Sequence, residues 1–355
     1  MLSPTGFAFL LALLASAGCG GEPQPALQPP PTAPVAPLPV VSAAPIDSTP
    51  PAAPPAPPKP SMADTLKVLF DGVSSRDPHK MLAAYADGAT VVTDGQVRAA
   101  KDSVADQQPF FDAFPDARAT LGRTWTSGSV AVVAWVFTGK NDGPLMGQKA
   151  TGRPIGLQVL NVFWFDDHNL IKEEHAYADL PTLLSQLDPK AKAASFPAIA
   201  APPAAVQDHV ARGTPDEDKN LAAMKSWYDL VNDKKAAAFA LLADDVVLQD
   251  MPSADATKGR KGAQELFGFF WKTFPDMKQA VGLILAVEDY TLAEVVITGT
   301  QKGPLGPFKA SNRSVSIHQV DIIQWKDGKA TKGWSYDNNK ELFDEIAPPK
   351  ESRQR

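Results

Sequence analysis

An internal repeat constrains the fold of this chain more than any other feature. The segment Phe114–Asp179 opens with Phe-Pro-Asp, continues through Thr-Gly and Gly-Pro-Leu, and reaches Arg153. The same landmarks recur from Phe274 to Arg313, and each lies 160 residues after its first occurrence. Because every landmark keeps one spacing, we interpret the chain as a duplication of one domain. Each functional question therefore has to be asked of both copies.

Composition excludes several classes of function. The chain has 355 residues, 44% of them hydrophobic and 21% charged, which is typical of globular proteins and leaves room for two domains. Its net charge is −6, and no basic stripe is present, so we expect no nucleic-acid partner. The single cysteine, Cys19, allows no disulfide within the chain. The five histidines lack metal-ligand spacing, and no cofactor motif occurs, so we expect neither a metal nor a cofactor.

The amino terminus has the pattern of an export signal. A short apolar run, Phe7–Ala17, is followed by small residues and Cys19, so residues 1–19 are expected to be a signal peptide. The cysteine directly behind Ala-Gly resembles the lipobox of bacterial lipoproteins. This resemblance implies lipidation of Cys19 and anchoring to a bacterial membrane of the cell envelope, at the periplasmic or surface side of the outer membrane. The alternative is an ordinary cleaved signal with an incidental cysteine.

Proline-rich and alanine-rich segments separate the folded parts. Residues 20–61 contain 16 prolines between Glu22 and Pro60, and proline disfavours both helices and central strands, so we expect an extended spacer. A second loose segment, 191–215, joins the two copies, and residues 347–355 form a tail.

The two copies, 62–190 and 216–346, show the same order of elements. In the first copy we expect helices near residues 66–73, 77–85 and 101–114, and strands near 90–93, 119–126, 130–138, 155–165 and 170–178. In the second we expect helices near residues 216–231, 236–243 and 261–274, and strands near 246–249, 279–287, 292–300, 314–325 and 330–336. Helices followed by antiparallel strands predict an α+β fold, with the helices on one face of a curved sheet.

Two motifs resemble a known family. Gly143-Pro144-Leu145-Met146-Gly147 and Thr151-Gly152-Arg153-Pro154 resemble motifs of the SnoaL-like polyketide cyclases, within the nuclear-transport-factor-2-like superfamily of cone-shaped α+β domains. The second copy keeps Gly303-Pro304-Leu305-Gly306 and Arg313. The resemblance implies two tandem cones with apolar interiors. It also implies pairing through the outer sheet face, within the chain or in a homodimer.

The last strand of the first copy carries the best candidate constellation. Strand alternation places His175, Tyr177 and Asp179 on one face, where a histidine and a carboxylate can shift each other's proton affinity. The family resemblance implies that Asp179 acts as the acid/base in aldol ring closure, with His175 beside it. Alternatively, His175 and Tyr177 are packing residues, and Asp179 caps the closing helix. On the preceding strand, Asn161 and Phe163 share one face, and the sequence leaves open whether that face lines the cone.

The second copy differs at these positions. Trp334 stands where the first copy has His175, and Asn338 stands where it has Asp179; an amide does not exchange protons near neutral pH. We therefore expect a binding or packing role, with Lys332 or a backbone amide as the partner of a buried Asp321. The ligand-binding residues that we expect over both copies are Tyr177, Asn161, Phe163, Trp135, Trp334, Tyr336 and Asp321.

Three functions remain open. We favour a non-catalytic, membrane-anchored protein that binds a small hydrophobic ligand, because export separates the chain from intermediates that are made inside the cell. An alternative is a cyclase-type or isomerase-type enzyme that uses only the first copy on a polyketide-like carbonyl compound. The third is a structural or assembly lipoprotein.

Overall fold

A computed structural model describes residues 59–191 and 196–347 of the chain. The signal segment, Cys19 and nearly all of the proline-rich segment lie outside these residues. The described residues form two tandem α+β domains, each built on its own sheet. Within the described part of the chain, no helix is long and apolar enough to cross a membrane.

Domain 1 combines a seven-stranded sheet with five helices. Its helices are α1 (Met62–Ser75), α2 (Pro78–Leu82), α3 (Ala100–Ala105), α4 (Gln108–Ala113) and α5 (Leu180–Leu187). Its strands are β1 (Tyr85–Thr93), β2 (Gln96–Ala99), β3 (Arg118–Ser127), β4 (Val130–Lys140), β5 (Pro154–Phe165), β6 (Ile171–Ala178) and β7 (Gln207–Val210). The sheet order is β2-β1-β6-β5-β4-β3-β7. The helix expected at 101–114 is divided into α3 and α4, and Pro109 lies in the first turn of α4, a position that proline tolerates.

Domain 2 repeats this topology, except that its sheet has no counterpart of β7 among the described residues. Its helices are α6 (Pro215–Asn232), a 3₁₀ helix (Ala236–Leu241), α7 (Gly259–Thr273) and α8 (Asn339–Ile346). Its strands are β8 (Leu242–Asp250), β9 (Thr257–Lys258), β10 (Lys278–Val287), β11 (Tyr290–Thr300), β12 (Ser314–Lys326) and β13 (Lys329–Asp337). The sheet order is β10-β11-β12-β13-β8-β9. The helix expected at 236–243 is a short 3₁₀ helix that leads directly into β8.

The first helix of each domain begins with a capping box. In α1, Ser61 accepts a hydrogen bond from the amide of Asp64, whose carboxylate bonds back to the cap; Thr214 and Glu217 do the same in α6. Behind these caps, apolar residues at helical spacing face the sheet. These buried residues are Leu66, Leu69, Phe70 and Val73 in α1, and Met224, Tyr228 and Val231 in α6.

The segment that joins the domains is more ordered than its composition suggests. Strand β7, inside the loose segment expected at 191–215, pairs in parallel with β3, and Thr124 Oγ1 donates to Asp208 at 2.6 Å. His209 in this strand is partly buried: its Nδ1 lies 2.7 Å from a carboxylate oxygen of Glu288, and its ring stacks on Trp125 and packs at a tilt against Tyr290. Four strand residues within an Ala/Pro-rich segment are too few for a periodic signal.

The outer faces of the two sheets pack against each other through an apolar cluster, called here the interdomain cluster. Its buried members are Trp125, Val130, Val132, Leu160, Val162 and Tyr177 from domain 1, and Val287, Tyr290, Leu292, Val320, Ile322 and Tyr336 from domain 2. Most members match across the repeat: Leu160 corresponds to Val320, for example, and Tyr177 to Tyr336. The interface therefore has an approximate twofold axis within one chain.

Candidate functional site

The orientation of strands β5 and β6 decides which side chains enter the cone of domain 1. On β5, Asn161 and Phe163 face inward, whereas Leu160 and Val162 belong to the interdomain cluster. On β6, Lys172 is an extra residue, because Trp164 pairs with Glu173 and Phe165 pairs with Ile171. This β-bulge reverses the alternation, so that Ile171 and then Glu174 enter the cone.

Glu174 is the centre of a polar network in the cone of domain 1. The Tyr85 hydroxyl donates to Glu174 Oε2, and Asn161 Nδ2 donates to Glu174 Oε1 at 2.5 Å. The indole of Trp135 donates through Nε1 to Asn161 Oδ1 at 2.6 Å. Glu174 is only 8% exposed and Asn161 only 4%, so the amide and the carboxyl group are almost enclosed by protein. We call these four residues the Glu174 network.

The surroundings of the Glu174 network favour a protonated carboxyl group. Burial raises the pKa of Glu174, although the hydrogen bonds from Tyr85 and Asn161 and the charge of His175 work in the opposite direction. Burial and the neighbouring carboxyl group likewise raise the pKa of the Tyr85 phenol. In its protonated form this carboxyl group can donate a hydrogen bond, and a group with a raised pKa can exchange a proton with a bound molecule.

Aromatic rings surround this network. Phe70 packs edge-on against Trp135, with ring centroids 5.2 Å apart, and edge-on against Phe163 at 6.4 Å. Tyr85 and Trp135 are less completely buried than Glu174 and Asn161. An apolar wall with a few convergent polar groups is the usual composition of a small-molecule site.

Domain 2 carries a different polar group in its cone. Asp321 takes the position of Asn161 and accepts hydrogen bonds from Tyr228 Oη at 2.8 Å, Ser335 Oγ at 2.6 Å and Gln319 Nε2 at 2.7 Å. Burial raises the pKa of Asp321 against these three hydrogen bonds. The expectation that Lys332 or a backbone amide is the partner of Asp321 was wrong. Hydroxyl and amide side chains form the hydrogen bonds of this carboxyl group, and Lys332 is exposed.

Domain 2 has no polar side chain at the position equivalent to Glu174. The strand pairing of Ile323 with Gly333 repeats that of Phe163 with Glu174, so Gly333 takes the place of the glutamate. A Cβ atom on Gly333 would lie 2.8 Å from Cδ2 of Leu248 and 2.9 Å from Cδ1 of Ile323. Leu248 and Ile323 therefore pack directly against Gly333, and domain 2 has no carboxyl group at this position.

The predicted acid/base constellation lies outside the cone. His175 Nδ1 is 2.6 Å from Glu294 Oε1 of domain 2, its Nε2 is 2.9 Å from Glu173 Oε1, and the Tyr177 hydroxyl also donates to Glu294. Burial opposes the charged ring, but hydrogen bonding to Glu294 and Glu173 raises the pKa of His175. The histidine thus pairs with glutamates rather than with Asp179. The reason is the bulge at Lys172, which turns His175 and Tyr177 towards the other domain.

Asp179 is the N-cap of α5. It accepts hydrogen bonds from the backbone amide of Thr182 at 2.8 Å and from the Thr182 hydroxyl at 2.5 Å. This geometry corresponds to the second interpretation of Asp179, as a helix cap. The carboxyl group also accepts a hydrogen bond at 2.8 Å from the backbone amide of Asn339 in domain 2.

The expected ligand contacts divide into two groups. Trp135, Asn161 and Phe163 meet in the cone of domain 1, and Asp321 lies alone in that of domain 2. Tyr177, Trp334 and Tyr336 instead lie in or against the interdomain cluster. There, the guanidinium group of Arg123 lies over the ring of Trp334 at 5.3 Å.

Sequence reasoning missed Glu174 and Tyr85. One signal was available, since the adjacent carboxylates Glu173 and Glu174 on one strand must lie on opposite faces, and one of them therefore faces the cone. Tyr85, at the beginning of β1, gave no such signal. Among the described residues, no group of three or more His, Cys, Asp or Glu residues could hold a metal ion.

Comparison with known proteins gives one family. A model of the family described as SnoaL-like polyketide cyclase matches residues 64–187 and 222–346. A protein described as a SnoaL-like polyketide cyclase from Jannaschia sp. CCS1 has 18% identity, covering 39% of this chain and 99% of its own, with a TM-score of 0.37. A protein described as a polyketide cyclase from Xanthomonas campestris pv. campestris has 17% identity, covering 37% and 99%, with a TM-score of 0.35. A search of curated proteins gives no match.

Proposed function

Since the chain belongs to the SnoaL-like polyketide cyclase family, we propose that the cone of domain 1 binds a small, mostly apolar molecule that carries a carbonyl or a similar hydrogen-bond acceptor. The observation behind this proposal is the Glu174 network, a carboxyl group enclosed by aromatic rings. Burying a carboxyl group without a cation is unfavourable, and such groups are enriched at functional sites. Domain 2 closes the same kind of cone with aliphatic side chains at this position.

Each part of the site has a distinct role in the proposal. The protonated carboxyl group of Glu174 donates a hydrogen bond to the acceptor of the ligand, and Asn161 and Tyr85 hold the carboxyl group in place. The rings of Phe70, Trp135 and Phe163 contact the apolar body of the ligand. Domain 2 acts as a support that covers the outer sheet face of domain 1.

The binding proposal is tested with 2-acetylnaphthalene as the probe, and with 2-ethylnaphthalene as a probe that lacks the acceptor. Titration calorimetry would compare the wild-type chain with Glu174→Ala and with the matched truncation Asp321→Ala in domain 2. We expect Glu174→Ala to weaken the ketone about tenfold, the equivalent of one hydrogen bond of about 1.4 kcal/mol. Binding of the hydrocarbon should change little.

Asp321→Ala should leave the affinity for the ketone close to that of the wild-type chain. Circular dichroism would establish that both variants fold. Equal ketone affinities for the wild-type chain and Glu174→Ala would refute the proposal, and so would a loss of affinity confined to Asp321→Ala.

A second candidate function, proton transfer, is favoured by the raised pKa of Glu174. Burial shifts this pKa upward, and the Tyr85 hydroxyl contacts the carboxyl group directly. In this reaction the carboxylate takes a proton from the carbon beside the ligand carbonyl and returns a proton to the same carbon. The step needs no co-reactant.

Deuterium incorporation into the methyl group of 2-acetylnaphthalene in D₂O, followed by NMR, separates binding from chemistry. Glu174→Gln keeps the shape of the side chain and an N–H donor but cannot exchange protons. We expect this variant to bind the ketone and to lose the exchange that the wild-type chain accelerates. Equal exchange rates in both proteins would remove Glu174 from any chemical role, with the binding proposal left intact.

We also propose that the chain is exported and anchored in the cell envelope through a lipidated Cys19, with residues 20–61 as a spacer. The support for this is the sequence around the only cysteine. Cys19→Ser should move the protein from the membrane fraction to the soluble fraction and abolish labelling by a fatty-acid analogue. A membrane-bound, labelled Cys19→Ser protein would contradict the anchor.

A further inference from the structure

The N-caps of α5 and α8 exchange hydrogen bonds across the domain boundary. Asp179 and Asn338 occupy equivalent positions, each directly before the closing helix of its domain. Asp179 Oδ1 accepts from the backbone amide of Asn339 at 2.8 Å, and Asn338 Oδ1 accepts from the backbone amide of Leu180 at 3.2 Å. Each cap thus binds the first amide of the other domain's helix, as the approximate twofold axis requires.

This exchange depends on unlike side chains at the two caps. Asn338 also donates through Nδ2 to Asp94 Oδ1 of domain 1 at 2.9 Å, a bond that a carboxylate cannot make. If both caps were aspartates, Asp94 and the two caps would form a group of three carboxylates. Like charges facing each other across a partly buried interface are unfavourable. The amide at position 338 removes this repulsion.

A second polar contact is also matched to unlike partners. His175 and Tyr177 of domain 1 bind Glu294 of domain 2, and the residue equivalent to Glu294 in domain 1 is Ala134. In a pair of two domains 1, the Tyr177 hydroxyl and His175 Nδ1 would therefore lose this partner, and His175 would keep only Glu173 of its own domain. The cation–aromatic contact likewise joins Arg123 of domain 1 to Trp334 of domain 2. The residue of domain 1 that is equivalent to Trp334 is His175.

We propose that the interdomain surface selects unlike domains: domain 1 pairs with domain 2 and rejects a second copy of domain 1, with Asn338 as the main determinant. The interdomain cluster supplies contact area but little selectivity between the two kinds of domain, because its members match across the repeat. The polar pairs around the cluster supply the selectivity, because a pair of two domains 1 would leave these groups without partners or facing like charges. This inference concerns assembly and is independent of the proposed ligand site.

Asn338 lies among many ionisable groups, so its replacement by aspartate should act in a pH-dependent way. The titratable and charged groups around the two caps are Asp94 and Asp179 from domain 1, and Asp250, Asp337, His318, Lys340 and Glu341 from domain 2. Burial raises the pKa of Asp179, and it raises the pKa of Asp250 to about 6. A further carboxyl group here is protonated and tolerated in acid, and it is charged and repelled at alkaline pH.

The first test is Asn338→Asp in the full chain, with Asn339→Asp as the control that adds the same charge one residue later, in the first turn of α8. Urea unfolding would be followed at pH 5 and pH 8. We expect the Asn338→Asp midpoint to fall below that of the wild-type chain at pH 8 and to approach it at pH 5. Asn339→Asp should show a smaller change. A midpoint for Asn338→Asp at pH 8 that equals the wild-type value would overturn the proposal.

The second test measures partner choice directly. A protease site inserted between Ala211 and Arg212 would leave the Ala211 amide on Thr126 of domain 1 and the Arg212 amide on Glu217 of domain 2. Native mass spectrometry after cleavage at pH 8 should find one half of each kind per complex. Asn338→Asp should lower the fraction of complexes that contain one half of each kind. Complexes of two domain 1 halves, or fully separated halves, in the wild-type protein would overturn the proposal.

Discussion

Replacing Leu160 by alanine should destabilise both domains together. Leu160 is completely buried in the interdomain cluster, and it pairs with Ala134 and Tyr177 in the sheet of domain 1. Truncation of a buried leucine removes its transfer free energy and leaves a cavity, at a loss of about 2–5 kcal/mol. With a central value of about 3 kcal/mol and a urea slope of about 3 kcal/mol per molar, the unfolding midpoint falls by about 1 M.

The assay is urea unfolding with separate reporters for the two domains, by hydrogen exchange of peptides from β5 and from β12 after brief labelling at each urea concentration. Because the interface is apolar and extensive, we expect one transition in which both reporters move by the same amount. Val320→Ala, at the equivalent position in domain 2, should shift the same transition. A shift of the β5 reporter alone would refute the reasoning, because it would mean that the domains unfold independently.

Two further predictions concern the Glu174 network. Tyr85→Phe leaves a buried carboxyl group without one of its donors and should lower the unfolding free energy by about 1–3 kcal/mol and weaken binding of the ketone probe, whereas Tyr228→Phe in domain 2 should affect stability alone. The folded-state pKa of Glu174 is raised, so the stability that its protonated form contributes is complete below the unfolded-state pKa and is lost as pH rises through the folded-state pKa. The urea midpoint of Glu174→Gln, measured relative to that of the wild-type chain, should therefore rise between pH 5 and pH 8. A difference between the two midpoints that does not change with pH would contradict this prediction.

The repeat made the fold predictable from sequence. Landmarks such as Phe274 and Arg313 recur at one spacing, and helical and strand periodicities in each copy indicate the α+β cone. The polar members of the site were only partly predictable. Trp135 and Asn161, which the sequence places among the candidate contacts, lie together in the cone of domain 1, whereas Glu174 was not predicted because no local pattern indicates the β-bulge before it.

The interface between the domains explains the remaining errors. His175, Tyr177 and Trp334 have the residue types of a binding site, yet they face the other domain, at contacts between residues more than a hundred positions apart. A sequence pattern reports which residues share a face of one strand, but it does not report what covers that face. Asp179 illustrates a further ambiguity, because an aspartate before Leu-Pro suits a helix cap as well as an acid/base site.

The most direct test of the account is an NMR titration of the tryptophan indole N–H signals with 2-acetylnaphthalene. Trp135 lines the cone of domain 1, whereas Trp271 and Trp325 lie in the apolar core of domain 2, and single tryptophan-to-phenylalanine variants would assign the signals. We predict that the Trp135 signal shifts with ligand and that the Trp271 and Trp325 signals do not. A titration that shifts the Trp271 and Trp325 signals and leaves Trp135 unchanged would contradict the assignment of the site to domain 1.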